Sequence, residues 1–197
     1  MAKPKAQPQR PNKRASYNYW LEPDNLMKQA HVHRYNEAAC FVSGRVVDLA
    51  CGWGMGTSIL ADVDMVDSVF GMDADLEAIN FASRQCPNIA FGISDFNSPD
   101  FHVPTAVDWV VSLETIEHLE DPIQFVAKIK DAAAVGVVVS VPIEPTKSKN
   151  AFHLHDFTAD QVDSWFPRWT IKADRRLMQK VGNRTIALGK LGVYLKP

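Results

Sequence analysis

Short apolar runs rich in β-branched and aromatic residues recur at 45–50, 68–72, 89–93, 107–112 and 135–141. Stretches with helical periodicity fall between them at 56–62, 75–85 and 121–131, with a weaker one near 98–101. Strands that are apolar on both sides belong to a sheet covered on both faces, which is the parallel arrangement. Ahead of the first strand, Asp24 to Val42 has helical character, with Leu26, Met27, Ala30, Tyr35, Ala38 and Ala39 as its apolar contacts. Asp121-Pro122 supplies a cap and a proline at the first helical position, and Thr158 with Gln161 forms a capping box for a helix to Trp165. Residues 168–178 and 184–195 read as two strands joined through Gly182-Asn183, a hairpin turn sequence. Strand and helix in alternation, followed by an antiparallel pair, predict a doubly wound α/β sheet.

Composition narrows the class. A chain of 197 residues with 46% hydrophobic and 22% charged residues has room for one domain with a real core. A net charge of −2 argues against a protein that coats nucleic acid. No apolar run approaches the ~20 residues of a membrane helix, so no membrane insertion is expected. The N-terminus lacks the apolar core of a secretory signal, and Cys40, Cys51 and Cys86 show no metal-ligand spacing. Reduced thiols and a cytoplasmic location fit these features. Residues 1–16 are basic and proline-rich, with no acid before Glu22, and are expected to be a disordered tail. Such a tail is either a solvated end or an arm for RNA or another polyanion. The domain is expected to occupy 17–197.

The chemistry concentrates at "VVDLACGWGMGTSIL", residues 46 to 60, where Gly52, Gly54 and Gly56 follow the first strand. In open α/β sheets the ligand sits beyond the carboxyl ends of the strands, and glycine lets the backbone approach it. Asp73, at the end of the second strand, stands where an acid commonly takes a ribose hydroxyl. NAD and S-adenosylmethionine both satisfy these features. Asp48 separates them: a carboxylate repels a pyrophosphate, whereas S-adenosylmethionine carries an ammonium and a sulfonium. The spacing also departs from G-x-G-x-x-G.

On these residues the chain resembles the class I S-adenosylmethionine-dependent methyltransferases, from about residue 26 to 165. "VVDLACGWG" is similar to that family's first motif, with Ala50 at the usual first glycine. "VFGMDAD" is similar to the second, which implies Asp73 on the ribose hydroxyls. "FGISDF" is similar to the third, which implies Asp95 and the Phe96 backbone N–H at the adenine. "VDWVVSLETIEHLEDP" is similar to the fourth, which implies Ser112 and Leu113 along the methionine end. "HVHRYNEAACFV" is similar to a helix that caps the cofactor in some members. The resemblance implies a single Rossmann-like, doubly wound domain of seven strands with the last antiparallel. It also implies S-adenosylmethionine as cofactor, bound by Asp48, Ala50, Gly52, Gly54, Asp73, Asp95, Phe96, Ser112 and Leu113. Residues 17–43 would form the N-terminal cap helix and 142–157 a lid loop.

Methyl transfer asks the protein to align an acceptor and, for a hydroxyl, to remove its proton. Glu114, Glu117 and His118, at i, i+3 and i+4, would share one face if helical. His118 is the expected general base, with Glu117 beside it. "NAFHLHDFTADQV" adds His153 and His155, and two carboxylates with two imidazoles also make a divalent-metal set. That set resembles ubiquinone-pathway O-methyltransferases and RNA 3′-terminal 2′-O-methyltransferases, although the spacing between the halves differs. The preferred expectation is a base without metal. No Asp/Asn-Pro-Pro-Tyr/Phe sequence is present, which argues against base N-methylation. A small or sugar-like acceptor methylated on oxygen is expected; RNA ribose methylation and a non-catalytic cofactor-binding scaffold are the alternatives.

Overall fold

The computed structural model describes residues 26–143, 145–148, 150–181 and 184–197. The basic segment 1–16, on which an RNA-directed reading depends, lies outside the described residues, as do positions 17–25 of the expected cap and the turn residues Gly182 and Asn183.

Helix α1 (Leu26–Ala39) precedes β1 (Gly44–Leu49), α2 (Met55–Ala61), β2 (Val66–Asp73), α3 (Leu76–Gln85) and β3 (Ala90–Ile93). Then come β4 (Val107–Leu113), a single 3₁₀ turn (Ile116–His118), α4 (Pro122–Ala132), β5 (Ala133–Val141), α5 (Ala159–Ser164), β6 (Thr170–Val181) and β7 (Arg184–Leu195). The strands form one seven-stranded sheet in the order β3-β2-β1-β4-β5-β7-β6. β1 to β5 pair in parallel, and β7 runs antiparallel between β5 and β6. The strand order reverses direction between β1 and β4, which places the crevice at their carboxyl ends.

Alternate residues serve opposite faces. Val47, Leu49, Val110, Val137 and Val139 pack with Phe125 and Ile129 of α4 on one side. Val46, Trp109, Val111 and Val138 pack with Tyr35, Ala38 and Leu60 of α1 and α2 on the other. The caps form as the sequence demands: Asp121 accepts from the Gln124 N–H with Pro122 beginning the helix, and Thr158 and Gln161 close a capping box. The expected helix near 98–101 does not form. "Ser98-Pro99" and Asp100 make hydrogen-bonded turns instead, because polar side chains bond their own backbone: Asp95 accepts from the Asn97 N–H and Ser98 from the Asp100 N–H. Among the described residues, no helix is long and apolar enough to cross a membrane.

Two polar ties inside the sheet stand out. Lys190 of β7 is buried and bonds Asp163 of α5 at 2.8 Å and Asp174 of β6 at 3.1 Å; the Tyr194 hydroxyl donates to Asp163 at 2.6 Å. At the other end, Asp48 of β1 is fully buried and accepts from the Tyr35 hydroxyl at 3.0 Å and the Thr57 hydroxyl at 2.7 Å. One carboxylate therefore joins α1, β1 and α2. Burial pushes its pKa up to about 7, against the two hydroxyls that favour the anion.

The loop above Asp48 is held in left-handed backbone at Ala50 (φ 62°), Gly52 (φ 54°) and Gly54 (φ 80°). Ala50 bears a Cβ where glycine is preferred. Ala50→Gly should relieve roughly 1–2 kcal/mol of strain, offset by about 0.4–1 kcal/mol of added freedom in the unfolded chain. A modest gain in the denaturant midpoint is expected, and a clear loss would refute the strain.

Asp48 makes a second prediction. Its proton is held more tightly in the folded state, so the stability penalty is absent below the ordinary pKa of 3.8 and complete above about 7. The protein should therefore lose stability relative to Asp48→Asn as pH rises through that window, by up to roughly 4 kcal/mol. Unfolding both proteins in denaturant at several pH values checks this, and parallel curves would refute it.

Candidate active site

A cavity of about 450 Å³ opens at the carboxyl ends of β1, β2, β3 and β4. Ala50, Asp73, Asp95 and Phe96 line one part of it, and Glu114 and His118 line another. These residues come from four strand ends, as the topology requires.

Asp73 is oriented by backbone. Its Oδ2 accepts from the Gly52 N–H and its Oδ1 from the Asp75 N–H, both at 2.8 Å. The β2 carboxylate thus fixes the loop after β1. Asp95 caps its own turn, and Phe96 meets Phe101 and Phe125 edge-on, with centroids 5.1 and 5.9 Å apart. Phe96 is in this way a bridge between the cavity wall and the core.

Several expected site residues lie elsewhere. Asp48 sits beneath the loop, enclosed by Tyr35 and Thr57, and does not line the cavity. Ser112 and Leu113 are buried within β4; the wall there begins with Glu114, where the chain leaves the strand with φ 54°. Gly52 has open space where a Cβ would stand, but Gly54 does not. A Cβ on Gly54 would come 2.7 Å from Ala82 of α3 and 3.1 Å from Phe91 of β3. The aromatic ring of Tyr35 occupies the space beside Gly56. The last two glycines of the loop therefore serve packing between elements, which alternate spacing alone could not reveal.

The acceptor-side residues separate into two groups. Glu114 is not on a helix with Glu117 and His118, because the 3₁₀ turn begins only at Ile116. Glu114 instead pairs with Arg34 of α1 at 3.0 Å and accepts from the Ser140 hydroxyl at 2.9 Å. Burial raises its pKa and the Arg34 guanidinium opposes that. Arg34 is the partner that sequence reasoning missed, although it lies within "HVHRYNEAACFV".

Glu117 is buried, and among the described residues no side chain hydrogen-bonds to either carboxylate oxygen. Desolvation, reinforced by Glu114, pushes its pKa up. Its Oε1 lies 3.8 Å from His118 Nε2. His118 Nδ1 lies 3.0 Å from the Phe152 carbonyl, so Nδ1 carries the proton and Nε2 keeps its lone pair. Burial lowers the His118 pKa below its usual 6.5.

Of the segment expected as a lid, 142–157, residues 152–155 dock on this turn. The Leu154 N–H donates to the Glu117 carbonyl at 2.8 Å, and His155 Nε2 bonds the Leu119 carbonyl at 2.9 Å. The two lid histidines consequently part company. His155 stacks on Phe157, while the His153 ring stands edge-on to His118 with centroids 4.6 Å apart.

Comparison with known proteins agrees with this architecture. A methyltransferase domain model matches residues 47–140. A protein of Mycolicibacterium smegmatis described as a probable S-adenosylmethionine-dependent methyltransferase is 31% identical over 158 residues, covering 75% of this chain and 57% of its own length. Trans-aconitate 2-methyltransferase of Rhizobium leguminosarum is 26% identical over 132 residues, covering 67% of this chain and 50% of its own. The chain thus spans about half the length of the curated relatives it matches. In fold it is similar to magnesium protoporphyrin IX methyltransferase of Synechocystis with bound SAH. The TM-score is 0.70 at 12% identity, covering 93% of this chain and 95% of that one. The matched methyltransferase domain runs from β1 into β5, and in sequence and fold the chain is similar to the class I S-adenosylmethionine-dependent methyltransferases.

Proposed function

We propose that the protein transfers the methyl group of S-adenosylmethionine to a hydroxyl of a small or sugar-like acceptor. The observation that carries this reading is a single cavity with carboxylates from β2 and β3 in one part and the His118 imidazole in another. The residues suit the cofactor: Asp73 and Asp95 accept hydrogen bonds from hydroxyl and amino groups, and Phe96 offers an apolar wall to a flat base. When bound, S-adenosylmethionine supplies a methyl group already activated on a sulfonium.

The chain's own part is orientation and proton removal. Asp73 holds the loop and the ribose side at once, so loop and ligand are positioned by one group. Glu114 presents its charge toward the cavity under the restraint of Arg34 and Ser140. His118, with Nδ1 fixed on the Phe152 carbonyl, keeps Nε2 as the base that takes the acceptor's proton. Its lowered pKa keeps that nitrogen unprotonated at neutral pH. The hydrogen-bonded docking of residues 152–155 on the 3₁₀ turn limits water at this end.

Calorimetry should detect binding of S-adenosylmethionine and S-adenosylhomocysteine and no binding of NAD. Asp73→Asn should weaken cofactor binding by about 1–3 kcal/mol, the range for a charge-assisted hydrogen bond. Binding of NAD in place of S-adenosylmethionine would overturn the cofactor assignment.

With hydroxylated small molecules and sugars as acceptors, His118→Ala should keep cofactor affinity and reduce turnover by roughly 10²–10⁴-fold. Turnover unchanged in that variant would remove His118 from the chemistry.

A further inference from the structure

We infer that Asn97 is a positioning residue: its side chain ties the adenine end of the cavity to the turn that carries His118, so that a bound cofactor sets the general base. The inference rests on the reading above, with Asp95 and Phe96 at the adenine and His118 as the group that removes a proton. Asn97 lines the same cavity as all three. Its backbone N–H donates to Asp95 Oδ1 at 3.0 Å, and the Ser98 N–H donates to the Asp95 carbonyl at 3.1 Å. The loop after β3 is therefore wound around the residue assigned to the adenine.

From that loop the side chain reaches the other half of the site. Asn97 Oδ1 accepts from the Glu120 N–H at 2.8 Å, across twenty-three positions. The donor is a backbone N–H, so the orientation of the amide is fixed with its oxygen on Glu120. Glu120 follows the 3₁₀ turn and precedes Asp121, the cap of α4, so its N–H lies ahead of the helix's own bonds. Its neighbour Leu119 accepts from His155 Nε2, and His118 is held through Nδ1 by the Phe152 carbonyl. Two hydrogen bonds and two peptide steps thus lead from the Asp95 carboxylate to His118.

Other contacts of the same loop go to the body of α4. Phe96 and Phe101 meet the Phe125 ring at 5.9 and 5.7 Å, and Lys128 Nζ donates to the Pro99 carbonyl at 3.1 Å. They hold the loop against the helix, whereas Asn97 reaches the turn itself. Asn97 and Glu120 are both exposed, so water competes for this N–H. A hydrogen bond in that setting favours the closed form by a factor of roughly 2–10. It therefore opens readily, and a small bias decides its population. A ligand that stiffens the turn around Asp95 favours the closed form, and the closed form favours the ligand by the same factor. The turn bearing the general base is then held while the methyl donor is present and loosened when the cavity is empty.

The test is amide hydrogen exchange and imidazole NMR on the full chain, with and without S-adenosylhomocysteine. The ligand should slow exchange of the Glu120 amide by roughly 2–10-fold and shift the ring resonances of His118. Asn97→Ala should keep the folded circular-dichroism signal and lose affinity for S-adenosylhomocysteine by no more than that factor. In this variant the response of His118 to the ligand should be lost or much reduced. Asn97→Asp keeps an acceptor oxygen and should restore it, whereas a merely structural role would alter the empty and liganded chains alike. A His118 response undiminished in Asn97→Ala would overturn the coupling, since it would come from direct contact with the ligand. Unchanged Glu120 exchange in the liganded, unaltered chain would overturn it too, as would failure of Asn97→Asp to restore the response. Calorimetry on the same samples separates this result from the cofactor reading. Binding without the response refutes only the coupling, and absence of binding refutes the cofactor assignment and the coupling with it.

Discussion

The burial of Asp48 constrains everything around it. A carboxylate with no solvent contact must have donors, and the fold supplies a tyrosine hydroxyl from α1 and a threonine hydroxyl from α2. For Tyr35 to arrive there, its ring must cross the start of α2, and only the missing side chain of Gly56 leaves room. The loop between β1 and α2 is then confined from below by this contact. From the β2 side, Asp73 holds it through the Gly52 N–H. Two acids of opposite character thus define the loop: one enclosed and carrying a raised pKa, the other at the cavity wall.

This division explains what was legible in the chain and what was not. Short apolar strands, the Asp121-Pro122 start and the Thr158–Gln161 box are local signals, and the elements they mark form with boundaries shifted by a few residues. Asp73 and Asp95 lie at strand ends, and a strand end is readable once the strand is found. The role of Asp48 was not readable in the same way. Its position in β1 is periodic, but the face it takes depends on Tyr35, thirteen residues earlier in another element. Gly54 and Gly56 show the same limit, since alternate glycines look alike until the neighbours that crowd them are known. The turn after β4 failed for a different reason: helical spacing from Glu114 to His118 assumes a helix that the left-handed residue at Glu114 prevents.

The part of the cavity around Glu114 and His118 is assembled from parts remote in sequence. Arg34 restrains Glu114 across eighty positions, and Phe152 fixes the ring of His118 across thirty-four. Side chains in such a site owe their geometry to the docking of whole segments. A change in the segment after β5 can therefore alter the imidazoles without touching either one. One sequence relative is named for trans-aconitate and one structural neighbour for magnesium protoporphyrin IX. One fold can carry such different substrates when the part of the site that meets them is built separately from the rest.

The position of β7 between β5 and β6 has a consequence for the order in which the molecule can be completed during synthesis. β5 is made before both later strands, yet its partner is β7, the later of the two. Until β7 leaves the ribosome, the apolar β5 keeps a row of unpaired backbone groups on one side, and β6 has no neighbour in the sheet. A nascent chain in that condition presents a sticky edge. Shielding of that edge until β7 is available would favour the folded sheet over association with other chains.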